Sequence, residues 1–402
     1  MTDRLYYTDT YRRSFDARIV SVQPRGDQFA IILDRSAFYP TSGGQLHDLG
    51  TIGEARVVDV LDEDGETVHL TDRAPSAIRY SPSATQVHCE LDWARRWDLA
   101  QQHTGQHIIS QAFYQLCKAE TISVHMTTDN CTLDLPRHLT AEQHSAAEEL
   151  ANEIVQQNRV VRATFVSDDE LARIPLRKAP AAKHTKIRVV EISDFDWSAC
   201  GGTHVRATGE VGFIKLIRAE KRGNEQRIEF MCGMRALRDY RWKNQSIVSL
   251  AAQFSVKDSD LAGKVQAMTD ENKDLRKQLN AARTELLGAE AERLWASANG
   301  NGATRLVQQV FAGRTVDEVR QLALLLKVKP TTTILFAVAG DKPNLIFARS
   351  DDVSHDMGKL LREVSAQFGG RGGGQPMLAQ GGVASGSDLA QVLQAAVVKI
   401  QK

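Results

Sequence analysis

Two short segments, far apart in the chain, constrain it more than any other feature. His103-Thr104-Gly105-Gln106-His107 spaces two imidazoles four residues apart, and on a helix positions i and i+4 share one face. Cys200-Gly201-Gly202-Thr203-His204 spaces a thiol and an imidazole by the same interval across two glycines, which let the backbone fold sharply enough for both side chains to converge. Either pair alone is a weak signal. Together they offer three nitrogens and one sulfur, a number and softness that select Zn²⁺ over Mg²⁺ or Ca²⁺. A fold that uses both must bring these distant segments into contact.

The same residues exclude one chemistry. A metalloprotease of the H-E-x-x-H type needs a glutamate after the first histidine as general base, and Thr104 stands there. Four protein ligands describe a closed site, whereas a catalytic zinc normally keeps a position for water or substrate. The residues leave open whether such a metal is catalytic, substrate-orienting or structural.

Around these pairs the chain reads as an α+β multidomain protein. Residues 1–91 form an N-terminal β-rich, barrel-like domain, with short β-branched or aromatic runs at 17–22, 29–33 and 57–61. Residues 92–243 form an α+β zinc-binding domain. A helix opens near Asp92, a second starts at a Thr140/Gln143 capping box, and strands fall at 131–135, 186–192, 212–217 and 227–231. Residues 244–298 lack proline and carry Leu261, Val265, Met268, Leu275, Leu279, Ala282, Leu286 and Ala289 at alternating four- and three-residue steps, with Asn272 in the gap. That spacing predicts a helical coiled-coil linker. Residues 299–402 alternate helix and strand patterns, with a glycine-rich loop at 369–374 between two helices.

Composition bounds the partners. Lys and Arg number 50, Asp and Glu also 50, so the formal net charge is zero. A nucleic acid would therefore be held by local patches and not by bulk charge. No apolar run approaches the ~20 residues that span a bilayer. The start lacks the apolar region of a secretory signal. The five cysteines are odd in number and scattered, so no disulfide framework is expected. These features predict a soluble, cytoplasmic protein.

Four segments carry a resemblance: 38–45 (FYPTSGGQ), 92–110 (DWARRWDLAQQHTGQHIIS), 198–209 (SACGGTHVRATG) and 369–382 (GGRGGGQPMLAQGG). In these the chain resembles the alanyl-tRNA editing proteins of the long AlaX type, free-standing relatives of the editing half of alanyl-tRNA synthetase. The resemblance runs over nearly the whole chain. It implies an aminoacyl-tRNA deacylase that hydrolyses Ser-tRNA(Ala), and also Gly-tRNA(Ala), with one Zn²⁺ per chain held by His103, His107, Cys200 and His204. It implies catalytic-site roles for Thr41, as the partner of the seryl hydroxyl, and for Gln45, which closes the glycine-rich loop. Residues 299–402 then correspond to a DHH-associated, tRNA-binding domain. Gly105 stands where many members carry alanine, so it serves close substrate approach or is neutral. No class II synthetase motif is present, so charging activity is not expected.

Candidate tRNA contacts are Arg177, Lys178 and Lys186 in one basic patch, Lys221 and Arg222 in a second, and Gly370, Arg371, Gly372 and Gly373 in the glycine segment. The second patch, 215–243, carries nine cations against four carboxylates. The helical spacer or the C-terminal domain offers a surface for a homodimer. Two other readings compete: an editing hydrolase of threonyl type, which shares both ligand pairs, and a non-catalytic tRNA-binding protein with structural zinc.

Overall fold

The computed structural model describes residues 1–76, 85–178, 187–300 and 304–401. The chain is α+β, with eight α-helices and several sheets among the described residues, and it divides into two units, Met1–Leu250 and Ala251–Lys402. No described helix is long and apolar enough to cross a membrane.

The first unit begins with strands β1 (Asp3–Arg4), β2 (Ser14–Arg25), β3 (Gln28–Leu33), β4 (Arg35–Ser36), β5 (Gly50–Ile52), β6 (Ala55–Glu63), β7 (Glu66–Thr71) and β8 (Gln86–Leu91). Six of these close a barrel in the order β2-β3-β7-β6-β5-β8, while β1 pairs with β4. Alternation drives the closure: Phe15, Ala17 and Ile19 of β2 and Val87, Cys89 and Leu91 of β8 turn inward to one core with Ile31, Leu33 and Phe38. The β6–β7 hairpin turns on Asp64-Gly65, both at positive φ, the pairing a two-residue turn of that hand requires.

Helix α1 (Trp93–Cys117) follows, capped by the Asp92 side chain, which accepts the Arg95 N–H. Most of its faces are buried, including those of His103, Thr104 and His107. A four-stranded antiparallel sheet orders as β14-β15-β10-β9, from β9 (Ser123–Met126), β10 (Cys131–Leu135), β14 (Ile214–Arg222) and β15 (Glu225–Cys232). A three-stranded sheet holds β11 (Val161–Val166), β12 (Ile187–Ile192) and β13 (Asp196–Ala199). Helices α2 (Ala141–Gln156), with the expected Thr140/Gln143 box, α3 (Asp168–Leu171) and α4 (Gly233–Gln253) complete the unit. Its core joins Ile108, Ile109 and Phe113 of α1 to Leu133, Ile154, Val190 and Phe230. Strand β14 extends five residues beyond the expected 212–217, because its outer half is a charged hairpin arm that apolar alternation does not mark.

In the second unit α5 (Leu261–Ala296) is one 36-residue helix. The seam residues Val265, Met268, Leu275, Leu279 and Leu286 are exposed, whereas Leu287 and Ala291 are buried under the adjoining sheet. Strands β16 (Asn299–Gly300), β17 (Arg305–Phe311), β18 (Thr332–Val338), β19 (Asn344–Arg349), β20 (Arg371–Gln375) and β21 (Leu378–Gly382) form a sheet in the order β16-β17-β18-β19-β21-β20. Helices α6 (Val316–Lys327), α7 (Met357–Gln367) and α8 (Leu389–Ile400) pack on it.

The glycine segment corrects an expectation. It is not a loop between helices but the edge strand β20, hairpinned to β21. A side chain on Gly372 would stand 2.8 Å from the Gly381 Cα, and one on Gly374 2.5 Å from the Ala379 Cα. The glycines permit close approach of two strands, a packing need that composition alone does not separate from a ligand cradle.

Candidate metal centre

The two ligand pairs meet. His103 and His107 project from one face of α1, and the 200–204 loop leaves β13 to bring Cys200 and His204 against them. All four ligand atoms lie within 4.8 Å of one another. Cys200 Sγ sits 3.3 Å from His103 Nε2 and 3.4 Å from His204 Nε2. The three histidines are buried.

The outer nitrogens decide which face of each ring is free. His103 Nδ1 lies 2.7 Å from Gln45 Oε1, His107 Nδ1 3.1 Å from Asp196 Oδ2, and His204 Nδ1 3.1 Å from Thr104 Oγ1. A carboxylate oxygen only accepts, so His107 carries its proton on Nδ1. Gln45 Oε1 also accepts the Thr203 N–H at 3.0 Å while its Nε2 donates to Thr203 Oγ1 at 2.8 Å, which fixes the amide orientation. Thr104 Oγ1 donates to the Ala100 carbonyl at 2.9 Å, so toward His204 it accepts. Each Nδ1 is therefore a donor, which leaves Nε2 as the ring atom turned toward the cluster. This is the outer-shell arrangement that orients histidine for a metal.

The electrostatics agree. Burial alone would raise the Cys200 thiol, but the neighbouring His103 and His204 hold it well below its ordinary value. Burial, with His103 beside it, pushes His204 down to about 3. Burial also opposes charge on His107, yet the Asp196 carboxylate and the Cys200 thiolate raise it to about 9. One thiolate faces one imidazolium, a proton that a cation displaces on binding. Three imidazole nitrogens and a thiolate suit the tetrahedral number and the softness of Zn²⁺, so the residues fit the expected metal.

Several residues beyond the four ligands hold this geometry. Arg188 is buried and donates from Nη1 to the Cys200 and Gly202 carbonyls, both at 2.9 Å. Asp196 is fixed by Arg177 Nε at 2.8 Å and Ser198 Oγ at 2.9 Å. Asp48 and Arg96, both fully buried, join at 3.0 Å through Nε and at 2.5 Å through Nη2, and Asp48 also accepts the Tyr39 N–H at 2.6 Å. That pair clamps the 39–48 loop onto the first turn of α1. Of these the sequence marks only Arg177, as a candidate tRNA contact, and not Arg188, Asp196, Ser198, Asp48 or Arg96. Arg96 sits in an Arg95-Arg96 doublet that reads as a solvated helix face, and Asp48 lies three residues past the glycine loop with nothing to mark its burial.

Two glycines are steric. A side chain on Gly202 would run into the His103 ring and stand 2.9 Å from Gln45 Oε1. A side chain on Gly105 would meet the Cys232 sulfur on β15 and stand 3.2 Å from Val211 Cγ1. Gly105 therefore serves helix-on-sheet packing, not substrate approach.

A cavity of about 500 Å³ opens over the cluster, with His103, His107 and Cys200 in its wall beside Tyr39, Ser42, Gln106 and Lys178. Gln45 lies behind His103, fully buried. Thr41 is exposed and is not on the cavity wall. Its Oγ1 accepts the His47 N–H at 3.1 Å and lies 3.0 Å from His47 Nδ1. Among the expected tRNA contacts, Arg177 and Lys178 both line the cavity, with the Arg177 guanidinium paired to Asp196. Lys186 falls outside the described residues. Lys221 and Arg222 are exposed at the tip of β14. Elsewhere in that patch Lys215, Arg218, Arg227, Arg235 and Lys243 are engaged in ion pairs, so its cationic excess is smaller than the sequence count. Gly370, Arg371, Gly372 and Gly373 belong to the second unit, with Arg371 exposed on the edge strand.

Comparison with known proteins places this centre. The family model "Threonyl and Alanyl tRNA synthetase second additional domain" matches residues 187–229, which include Cys200 and His204. The "DHHA1 domain" model matches 302–402. The alanine–tRNA ligases of Pyrococcus furiosus and Methanopyrus kandleri are 28% and 29% identical over 94% and 95% of this chain. The chain spans only 42% of either ligase. The C-Ala domain of Aquifex aeolicus alanyl-tRNA synthetase is 27% identical over 26% of this chain and 96% of its own, with a TM-score of 0.24. The alanyl-tRNA editing protein AlaX-L of Pyrococcus horikoshii is 31% identical over 95% of both chains. A likeness that runs the length of both proteins, over a chain whose two ligand pairs converge, means that this chain belongs to the alanyl-tRNA editing proteins of the AlaX-L type.

Proposed function

We propose that the protein is a cytoplasmic trans-editing hydrolase that cleaves the aminoacyl ester of mischarged Ser-tRNA(Ala), and of Gly-tRNA(Ala). The observation that carries this reading is the convergence of three imidazole nitrogens and one thiolate, with His103, His107 and Cys200 in the wall of a cavity of about 500 Å³. Zn²⁺ held by His103, His107, Cys200 and His204 would supply Lewis-acid polarisation at that wall. Gln45 holds the His103 ring and the Thr203 backbone in register, and so acts by positioning. Gly43 and Gly201 bring backbone amides to the cavity, the donor type an oxyanion needs.

Selectivity is assigned to the 41–45 loop. Thr41 fixes His47 with its hydroxyl, and the adjoining Ser42 lines the cavity. Among the expected contacts, Lys178, which also pairs with Glu120 at 3.6 Å, and the exposed Lys221, Arg222 and Arg371 are the cations assigned to tRNA phosphates. The exposed seam on α5 is the surface assigned to a homodimer.

A complete set of four protein ligands favours a second reading, a tRNA-binding protein with structural zinc. Threonyl-type editing is the third, disfavoured by the DHHA1 match. One assay separates them: purified protein with Ser-, Gly- and Ala-charged tRNA(Ala) and Ser-charged tRNA(Thr). Release of serine and glycine from tRNA(Ala), with alanine retained, is the expected result. No release from any of the four overturns the hydrolase reading.

A further inference from the structure

On the other side of the Cys200–His204 loop lies a second groove of about 130 Å³, between residues 7–11 and a wall that includes Ala163, Val205 and Arg206. His204 lines it too. Aromatic rings mark both ends. At one, Tyr7 meets Phe165 edge-on at 5.6 Å. Phe165 is 48% exposed on β11, the edge strand of its sheet, and belongs to none of the hydrophobic cores among the described residues. At the other, Tyr11 contacts Trp93 at 5.8 Å.

Guanidinium groups are interleaved with these rings. Arg206 stacks 3.8 Å above Tyr11, Arg13 4.5 Å above Trp93, and Arg188 lies 5.6 Å from Tyr7. The nearby carboxylates are already engaged: Asp9 pairs with Arg206 and Arg12, and Glu210 accepts from the Tyr11 hydroxyl and the Arg206 N–H. Arg12, Arg13 and Arg206 outnumber those two acids, so the surface is complementary to an anionic chain, while the buried Arg188 is engaged with the Tyr7, Cys200 and Gly202 carbonyls. One exposed ring, Phe165, and the half-buried Tyr7, Tyr11 and Trp93 beside arginines offer a platform on which unpaired bases stack while cations follow the phosphates.

The groove leads to the metal centre. A side chain on Gly201 would begin 3.8 Å from the Tyr7 ring, and Gly201 lines the main cavity. A strand that runs from Tyr11 to Tyr7 and crosses Gly201 delivers its terminus to the ligand cluster.

We propose that this groove receives the single-stranded 3′ end of the aminoacylated RNA, with Phe165 and Tyr7 stacking its bases and Arg206 and Arg13 contacting its phosphates. The proposal rests on the deacylase reading, and its test separates the two. Fluorescein-labelled single-stranded RNA ending in CCA is titrated against the full chain and against Phe165→Ala, Phe165→Tyr and Arg206→Ala. The alanine variants are expected to bind about five- to tenfold more weakly, with Phe165→Tyr close to the parent. In deacylation, their loss of kcat/KM on mischarged tRNA exceeds by a similar factor their loss on 3′-O-seryl-adenosine, which has no upstream bases. RNA binding unchanged in both alanine variants overturns the groove, as does equal loss on the two esters. Weakened RNA binding with no hydrolysis by the parent protein overturns the deacylase reading and supports the groove.

Discussion

Gln45 and His103, from a barrel loop and the central helix, meet at 2.7 Å, and the same glutamine oxygen accepts the Thr203 N–H at 3.0 Å. One amide therefore ties three segments of the chain around the ligand cluster. Gln45→Leu leaves the His103 ring free to turn and is expected to weaken zinc about 10- to 100-fold. Chelator competition measures this. His107→Ala and Cys200→Ala, each lacking a ligand, set the lower bound, and stoichiometric zinc in either would contradict the ligand set.

Asp48 and Arg96 carry opposite charges at zero exposure. Removing one partner strands a buried charge, so Asp48→Leu and Arg96→Met are each expected to cost about 3–5 kcal/mol in urea denaturation. The double variant should lose less than the sum, by about 1–3 kcal/mol. Strict additivity would mean that the two act independently.

Thr41→Val removes the acceptor of the His47 N–H. In the proposed reading it lowers hydrolysis of the seryl ester relative to the alanyl ester by about three- to tenfold, the scale of one hydrogen bond. An unchanged ratio, beside an altered one for Ser42→Ala, would move selectivity to the residue on the cavity wall.

Gly105→Ala adds a methyl group where the Cys232 sulfur sits. Overpacking should outweigh the helix preference for alanine and destabilise the fold by about 1–3 kcal/mol. Cys232→Ala in the same chain opens the space and should recover most of that loss. Thermal denaturation of the three variants decides this. A stabilised single variant would show that the helix-to-sheet contact yields easily.

His69 lies inside the barrel with Nδ1–H donating to the Ile31 carbonyl at 3.0 Å and Nε2 accepting from Ser36 Oγ at 2.7 Å. Burial lowers its pKa from 6.5 to about 4. Between those values the unfolded chain binds the extra proton, so stability is complete above about pH 6.5 and falls as pH drops toward 4. From pH 7 to pH 5 the parent protein should lose about 2 kcal/mol more than His69→Gln. Equal losses would show that this histidine does not contribute to acid sensitivity.

Local spacing carries further than composition in this chain. The i, i+4 histidines, the Thr140/Gln143 box and the Cys-Gly-Gly-Thr-His turn are short-range patterns, and each stands where its spacing implies. The glycine run at 369–374 misled because a glycine needed for strand-to-strand contact looks the same as one that cradles a phosphate. In the basic run 215–243 the count overstates the free charge because some carboxylate partners, Glu148, Asp134 and Asp98, lie elsewhere in the chain.

The amino-acid sequence alone pointed to the ligand chemistry, since four residues of two types, three histidines and a cysteine, at two fixed spacings suit one kind of ion. Tertiary structure decided which atoms face inward. Asp196, Thr104 and Gln45 each occupy one imidazole Nδ1, and Arg188 and the Asp48–Arg96 pair hold the two loops in place. Those choices depend on burial, where an unmet hydrogen bond or an unpaired charge is costly. Burial belongs to the folded surface and not to any stretch of residues read in order.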